Sequence, residues 1–220
     1  MRQLPAPLLL ITDRTQNPRP LVETVAAALE GGCRWVMLRE KDLPPEALLD
    51  LARQISALTS AKGATLSVNS DIAAAQALKA GLHLPADGSA LAARAALGPT
   101  ALIGKSAHSL DEIEKAQDTG ADYVTLSPIF ASASKPGYGP ALGIEGLRKA
   151  AARLQIPIVA LAGIDADNAG PCLKAGANAV AVMGGVMCAG PGEGTGAVRR
   201  RGGGPGAPAL LPRNRGAQLR

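Results

Sequence analysis

Three cations and three glycines carry the chemical content of this sequence. Arg39 and Lys41 lie in "LREKD", and Lys135 lies in the turn-rich "IFASASKPGYGPALG". A guanidinium grips phosphate oxygens through two parallel N–H bonds, and an ammonium is a compact point charge. Together they suit the neutralisation of an anionic leaving group. Gly163 in "LAGI" and Gly184–Gly185 in "MGGV" each end an apolar run and open a helix-like segment. Glycine at such a turn lets backbone N–H groups approach a phosphate. His108, with Asp111 and Glu112 close behind it, reads as a loop or helix-capping residue, and His83 as structural. No Ser-His-Asp order or Cys-His pair stands out, which argues against nucleophilic acyl transfer.

These residues are spaced by an alternating pattern. Four phrases resemble one another: "EGGCRWVMLR", "KAGLHLP", "DTGADYVTLSP" and "KAGANAVAVMG". In each, a glycine (Gly32, Gly81, Gly120, Gly176) closes a helix-like run as a left-handed cap, and a short apolar run follows. The runs "PLLLIT", "ATLSVN", "ALIGKS" and "PIVALAG" bring the strand candidates to eight. Helix-like segments separate them. In "PPEALLDLARQISALTSAKG", Leu48, Leu51, Ile55 and Leu58 recur at helical spacing. Alternation implies a parallel sheet, and eight units at this length predict an α/β (β/α)8 TIM barrel over a doubly wound sheet. The strand C-terminal ends then gather Thr12, Asp13, Arg39, Glu40, Lys41, Asn69, Ser70, Asp87, Ser106, His108, the segment from Ser127 to Lys135, and Gly163, Gly184 and Gly185. That asymmetry is the mark of an enzyme on this fold.

The bulk numbers bound the rest. A chain of 220 residues with 47% hydrophobic content can form one sizeable core. Aromatics at 2% argue against base-stacking nucleic-acid modules. Six of the 23 basic residues and one of the 18 acidic residues lie from Cys188 onward, so the formal charge of +5 belongs to the tail and residues 1–187 are neutral. Neither nucleic acid nor a membrane is expected as a partner. The cysteines Cys33, Cys172 and Cys188 have no paired or metal-binding spacing, which suits a reducing cytoplasm. Residues 188–220 hold nine Gly, four Pro and six Arg among 33 residues. That composition predicts a disordered tail in place of the last barrel helix, and it reads as the product of a shifted frame in a GC-rich gene. The expected division is a barrel over 1–187 and a tail over 188–220.

"LREKD", "VNSD", "IGKSAHSLDE", "GADYVTLSPIFASASK" and "VALAGI…AGANAVAVMGG", in this order, resemble thiamine phosphate synthase and its close relative, the thiazole tautomerase. The resemblance runs from about Leu8 to Met187. It implies a transferase joining an aminopyrimidine methyl diphosphate to a thiazole phosphate, with thiamine phosphate and pyrophosphate as products. It implies Mg²⁺ on the diphosphate and a dissociative step, in which neutralising the leaving group matters more than a base. Arg39, Lys41 and Lys135 would be catalytic. Asn69 would lie beside the diphosphate, and Ser106 would face the pyrimidine. Ser132 and Ser134 stand where the family has threonines. Gly163, Gly184 and Gly185 would hold the thiazole phosphate. Small phosphorylated substrates are the implied partners, and a homo-oligomer is compatible with the resemblance.

The departures cut across that pattern. Met37 stands for a family glutamine, and Ser70 for a Mg²⁺-ligating aspartate. Asp71 falls one place late and is expected to point away. In "HLPADG" only Asp87, one place out of register, is left as a metal ligand. That segment and the lost aspartate look like the tautomerase branch, whereas Pro128 is what the synthase branch carries. A thiazole phosphate isomerase and a non-catalytic binder of thiazole or thiamine phosphate are therefore the alternatives.

Overall fold

The structure is a computed structural model that describes residues 2–16, 19–131 and 140–187. Eight parallel strands close into a barrel in chain order: β1 (Leu8–Ile11), β2 (Trp35–Leu38), β3 (Thr65–Asn69), β4 (Gly81–Leu84), β5 (Ile103–Ala107), β6 (Tyr123–Leu126), β7 (Ile158–Ala160) and β8 (Ala179–Val182). β8 returns to β1, with Leu9 opposite Ala181. Between and after them run α1 (Leu21–Glu30), α2 (Pro45–Ala61), α3 (Ile72–Leu78), α4 (Ala90–Leu97), α5 (Leu110–Asp118), α6 (Gly143–Arg153), α7 (Ala169–Lys174) and α8 (Gly184–Met187). The expected TIM barrel is present, and each expected apolar run supplies one strand.

Most strands are buried on both faces, which is why they read as unbroken apolar runs. Outward residues such as Leu10, Val36, Leu38, Val124 and Val180 pack against the helices. Inward residues such as Leu9, Ile11, Trp35, Met37, Val159 and Ala181 fill the barrel. On α2 the fully covered positions are Leu48, Ala52, Ile55 and Thr59, so Leu51 and Leu58 flank the seam as partly buried neighbours. Side-chain caps start three helices: Asp71 accepts from Ala74 N–H at 2.8 Å, Ser89 from Ala92 N–H at 3.2 Å and Ser109 from Glu112 N–H at 3.2 Å.

Gly32, Gly120 and Gly176 have the expected positive φ. Gly81 does not cap its helix. Lys79 takes the left-handed cap of α3 (φ 51°), and Gly81 is already the first residue of β4. Glycine is required there for room, since a Cβ would lie 2.8 Å from Ser67 Oγ. Gly184 and Gly185 open the short helix α8, as expected of "MGGV"; the expected replacement of a full last helix by a tail concerns 188–220, outside the described residues.

The barrel interior is divided. β7, β8 and β1 line it with aliphatic side chains, while β3 to β6 contribute Ser67, His83, Ser106, Tyr123 and Thr125. Tyr123 is wholly buried and lies edge-on to Trp35, with ring centroids 5.0 Å apart. Its ring occupies the space above Gly104, where a Cβ would come within 2.1 Å of it. Gly104→Ala must therefore overpack the barrel and lower unfolding stability by about 1–3 kcal/mol. Gly170→Ala, in α7 with nothing within 4 Å of the added methyl, is the control. It should change stability by less than about 0.5 kcal/mol in the same denaturation experiment, because the crowding that Pro171 imposes on the residue before it offsets the helix-propensity gain.

Candidate active site

The mouth of the barrel is organised around a buried carboxylate. Glu40, just past β2, is 5% exposed. Its Oε1 accepts the Thr12 hydroxyl at 2.6 Å, and its Oε2 accepts the Arg14 N–H at 2.9 Å. Thr12 Oγ1 in turn accepts the Arg39 N–H at 3.0 Å. The ends of β1 and β2 are thereby tied, and the backbone between Arg39 and Lys41 is held in place. Burial pushes the Glu40 carboxyl above its ordinary range, against the opposing hydrogen bonds from Thr12 and Arg14. Neither Thr12 nor Glu40 had been given a role from the sequence beyond a place at a strand end. A Thr after one strand and a Glu in "REK" after the next was the available signal.

Arg39 is half-buried, and its charge reaches into the barrel to Asp13 and His83. Lys41 is exposed. It lines a cavity of about 570 Å³ with Asn69 and Ser70, over a floor of Leu43, Leu48 and Ile72. Asn69 ends β3 and donates from Nδ2 to Ser70 Oγ at 3.0 Å. Lys41 and Asn69 thus line the same cavity. Ser106 lies on β5 within 3.2 Å of His83 Nε2. Gly163 follows β7, and Gly184 and Gly185 open α8 after β8, the neighbouring strand. Gly163 has a second reason to be glycine. At φ 64°, a Cβ would sit 2.6 Å from the Ala131 carbonyl and 2.7 Å from Phe130 Cβ.

Ser132, Ser134 and Lys135 lie outside the described residues. The neck of their loop is described. Leu142 N–H donates to Pro128 O and Gly143 N–H to Ile129 O, both at 2.9 Å. Ile129 N–H and Phe130 N–H donate to Leu161 O and Ala162 O at 3.0 and 3.1 Å. His108 fills a loop role. Its Nδ1 lies 2.9 Å from Ser127 O and donates to it, and its N–H donates to Glu112 Oε2 at 2.6 Å.

A Mg²⁺ site needs oxygen ligands that are not already engaged. Asp13 accepts from Thr15 and Gln16. Burial pushes its carboxyl up, but these bonds and the Arg39 charge outweigh it and hold the group below its usual range. Asp71 turns back to cap α3, and Glu40 is engaged as above. Ser70, at φ 65°, offers only a hydroxyl. Asp87 is exposed on the loop before α4. Among the described residues no group of three or more His, Cys, Asp or Glu is placed to hold a metal. This donor set does not fit a carboxylate-built Mg²⁺ site.

His83 is wholly buried, and burial, with the Arg39 charge in support, lowers its pKa from 6.5 to about 3. An unfolded chain takes up a proton below pH 6.5 that the folded chain refuses. His83 therefore makes stability fall as pH drops from about 6.5 towards 3, by up to about 1.4 kcal/mol per pH unit. Urea denaturation across that range should show the slope, and His83→Gln should remove this part of it.

The family model described as thiamine monophosphate synthase matches residues 8–186. A thiamine-phosphate synthase of Moorella thermoacetica is 42% identical over 181 residues, covering 81% of this chain and 86% of the relative. A protein named putative thiamine-phosphate synthase from Geobacter sulfurreducens is 42% identical over 183 residues, covering 82% of this chain and 86% of the relative. The solved thiamine phosphate pyrophosphorylase of Pyrococcus furiosus superposes with a TM-score of 0.74 at 34% identity, covering 83% of this chain and 87% of that one. The alternating barrel, the cations beside Glu40 and these likenesses agree: the chain belongs to the thiamine monophosphate synthase family.

Proposed function

We propose that this chain is a thiamine-phosphate synthase, a transferase that joins aminopyrimidine methyl diphosphate to thiazole phosphate. The observation that carries the reading is the 42% identity to a synthase over four-fifths of the chain, 81%. In the reaction the bond from the pyrimidine methylene to the diphosphate oxygen breaks, and pyrophosphate takes the electron pair. The thiazole nitrogen lone pair then closes the new carbon–nitrogen bond. Arg39 and Lys41, with Lys135 from the β6 loop, are the groups that stabilise the charge gathering on pyrophosphate. Asn69, Ser132 and Ser134 bind the diphosphate, and Ser106 faces the pyrimidine. Gly163, Gly184 and Gly185 offer N–H groups to the thiazole phosphate. The setting is cytoplasmic and the partners are these small molecules.

No helix among the described residues is long and apolar enough to cross a membrane. Cys33 and Cys172 are free and buried, and burial raises both thiols.

Purified protein given both substrates and Mg²⁺ should form thiamine phosphate and pyrophosphate, read by chromatography. Intact binding of thiazole phosphate with no product would overturn the synthase reading in favour of a binder or isomerase. Arg39→Ala should lower kcat/KM by about 10²–10³, the effect of losing one charge-stabilising donor. Ser70→Asp adds a carboxylate beside Asn69. It should lower the Mg²⁺ concentration needed for half-maximal rate, and an unchanged metal response would show that this corner takes no cation.

A further inference from the structure

In the polar half of the barrel a run of hydrogen bonds leads from Tyr123 through His83 to Ser106, with a Trp35–Ser67 bond beside it. Trp35 Nε1 lies 3.1 Å from Ser67 Oγ. The Tyr123 hydroxyl is 3.2 Å from His83 Nδ1. His83 Nε2 is 3.2 Å from Ser106 Oγ and 3.3 Å from Thr125 Oγ1. Trp35, Ser67 and Tyr123 are all fully buried, and His83 is 3% exposed.

The donors and acceptors fix the direction of the protons. An indole N–H only donates, so Ser67 accepts from Trp35. Among the described hydrogen bonds the Tyr123 hydroxyl has His83 Nδ1 as its acceptor, and its proton goes there. The reverse, with Nδ1 donating, would leave the buried Tyr123 proton without an acceptor. An accepting Nδ1 on a neutral ring leaves the proton on Nε2.

We propose that His83 is a positioning residue, locked as the neutral Nε2–H tautomer, that donates to Ser106 and so turns the Ser106 hydroxyl proton towards the barrel mouth. The Ser106 oxygen, accepting from Nε2, directs its own proton at a ligand acceptor. Under the proposed function, on which this step rests, that acceptor is a ring nitrogen of the aminopyrimidine. The relay thus selects a heterocycle by a lone pair and not by an N–H. Burial of the ring, together with the Arg39 charge, disfavours the imidazolium that would break the relay.

The chain has two histidines, which makes the experiment direct. ¹⁵N spectra of histidine-labelled full-length protein, assigned by His83→Gln, should show His83 with Nε2 protonated and Nδ1 bare, unchanged between about pH 5 and 8. A protonated Nδ1, or a ring that titrates in that range, would overturn the proposal. Tyr123→Phe keeps the ring packed over Gly104 and removes the proton given to Nδ1. It should weaken binding of aminopyrimidine methyl diphosphate about tenfold by calorimetry and leave thiazole phosphate binding unchanged. Equal loss for both compounds, or for neither, would also overturn it. His83→Gln, whose amide N–H can stand for Nε2–H, should bind the pyrimidine more tightly than His83→Ala. A wild-type chain that binds neither compound would defeat the proposed function, while the spectrum reports the tautomer without any ligand.

Discussion

A closed barrel must fill its own centre, and in this chain a single tyrosine ring sets how that is done. Tyr123 projects inward from β6 and takes the volume that a side chain on β5 would otherwise claim, so position 104 is glycine. The ring stands edge-on to Trp35 from the far side and tilts against His83, 5.6 Å away. Its hydroxyl cannot reach water, so it must be satisfied from within. His83 meets that requirement, Ser106 and Thr125 in turn meet the far nitrogen of His83, and Gly81 follows from the space that Ser67 needs. The aliphatic half of the interior imposes no such demand.

The cations at the mouth depend on a second buried group. A carboxylate taken out of water is tolerated only when its lone pairs are used. Glu40 has a hydroxyl and a backbone N–H for that purpose, and both come from the end of β1. Arg39 and Lys41 therefore flank a rigid point. Positioning of this kind is what charge stabilisation requires, because donors that must reorganise during the reaction lose much of their effect.

The architecture was legible in the sequence because parallel strands covered on both faces write themselves as short β-branched and aliphatic runs. Glycine and lysine punctuation between those runs fixed the order. The polar residues at the strand ends followed from the register alone. What stayed hidden depended on contacts across strands. Nothing near position 81 says that its glycine serves Ser67 on the neighbouring strand, so it read as a helix cap and Lys79 went unnoticed. His83 read as structural, which it is, but its partners come from β5 and β6, and no local spacing announces them. Glu40 was visible as a charge and invisible as a junction, since its meaning lies in Thr12, 28 residues earlier.

The long connection after β6 enters and leaves through one narrow gate, with residues 128 and 129 bonded to 142 and 143. Ile129 is bonded in two directions, its carbonyl to Gly143 and its N–H to Leu161. A backbone change at this one residue is therefore passed at once to the start of α6 and to the segment after β7, so β6, β7 and α6 must shift together or not at all.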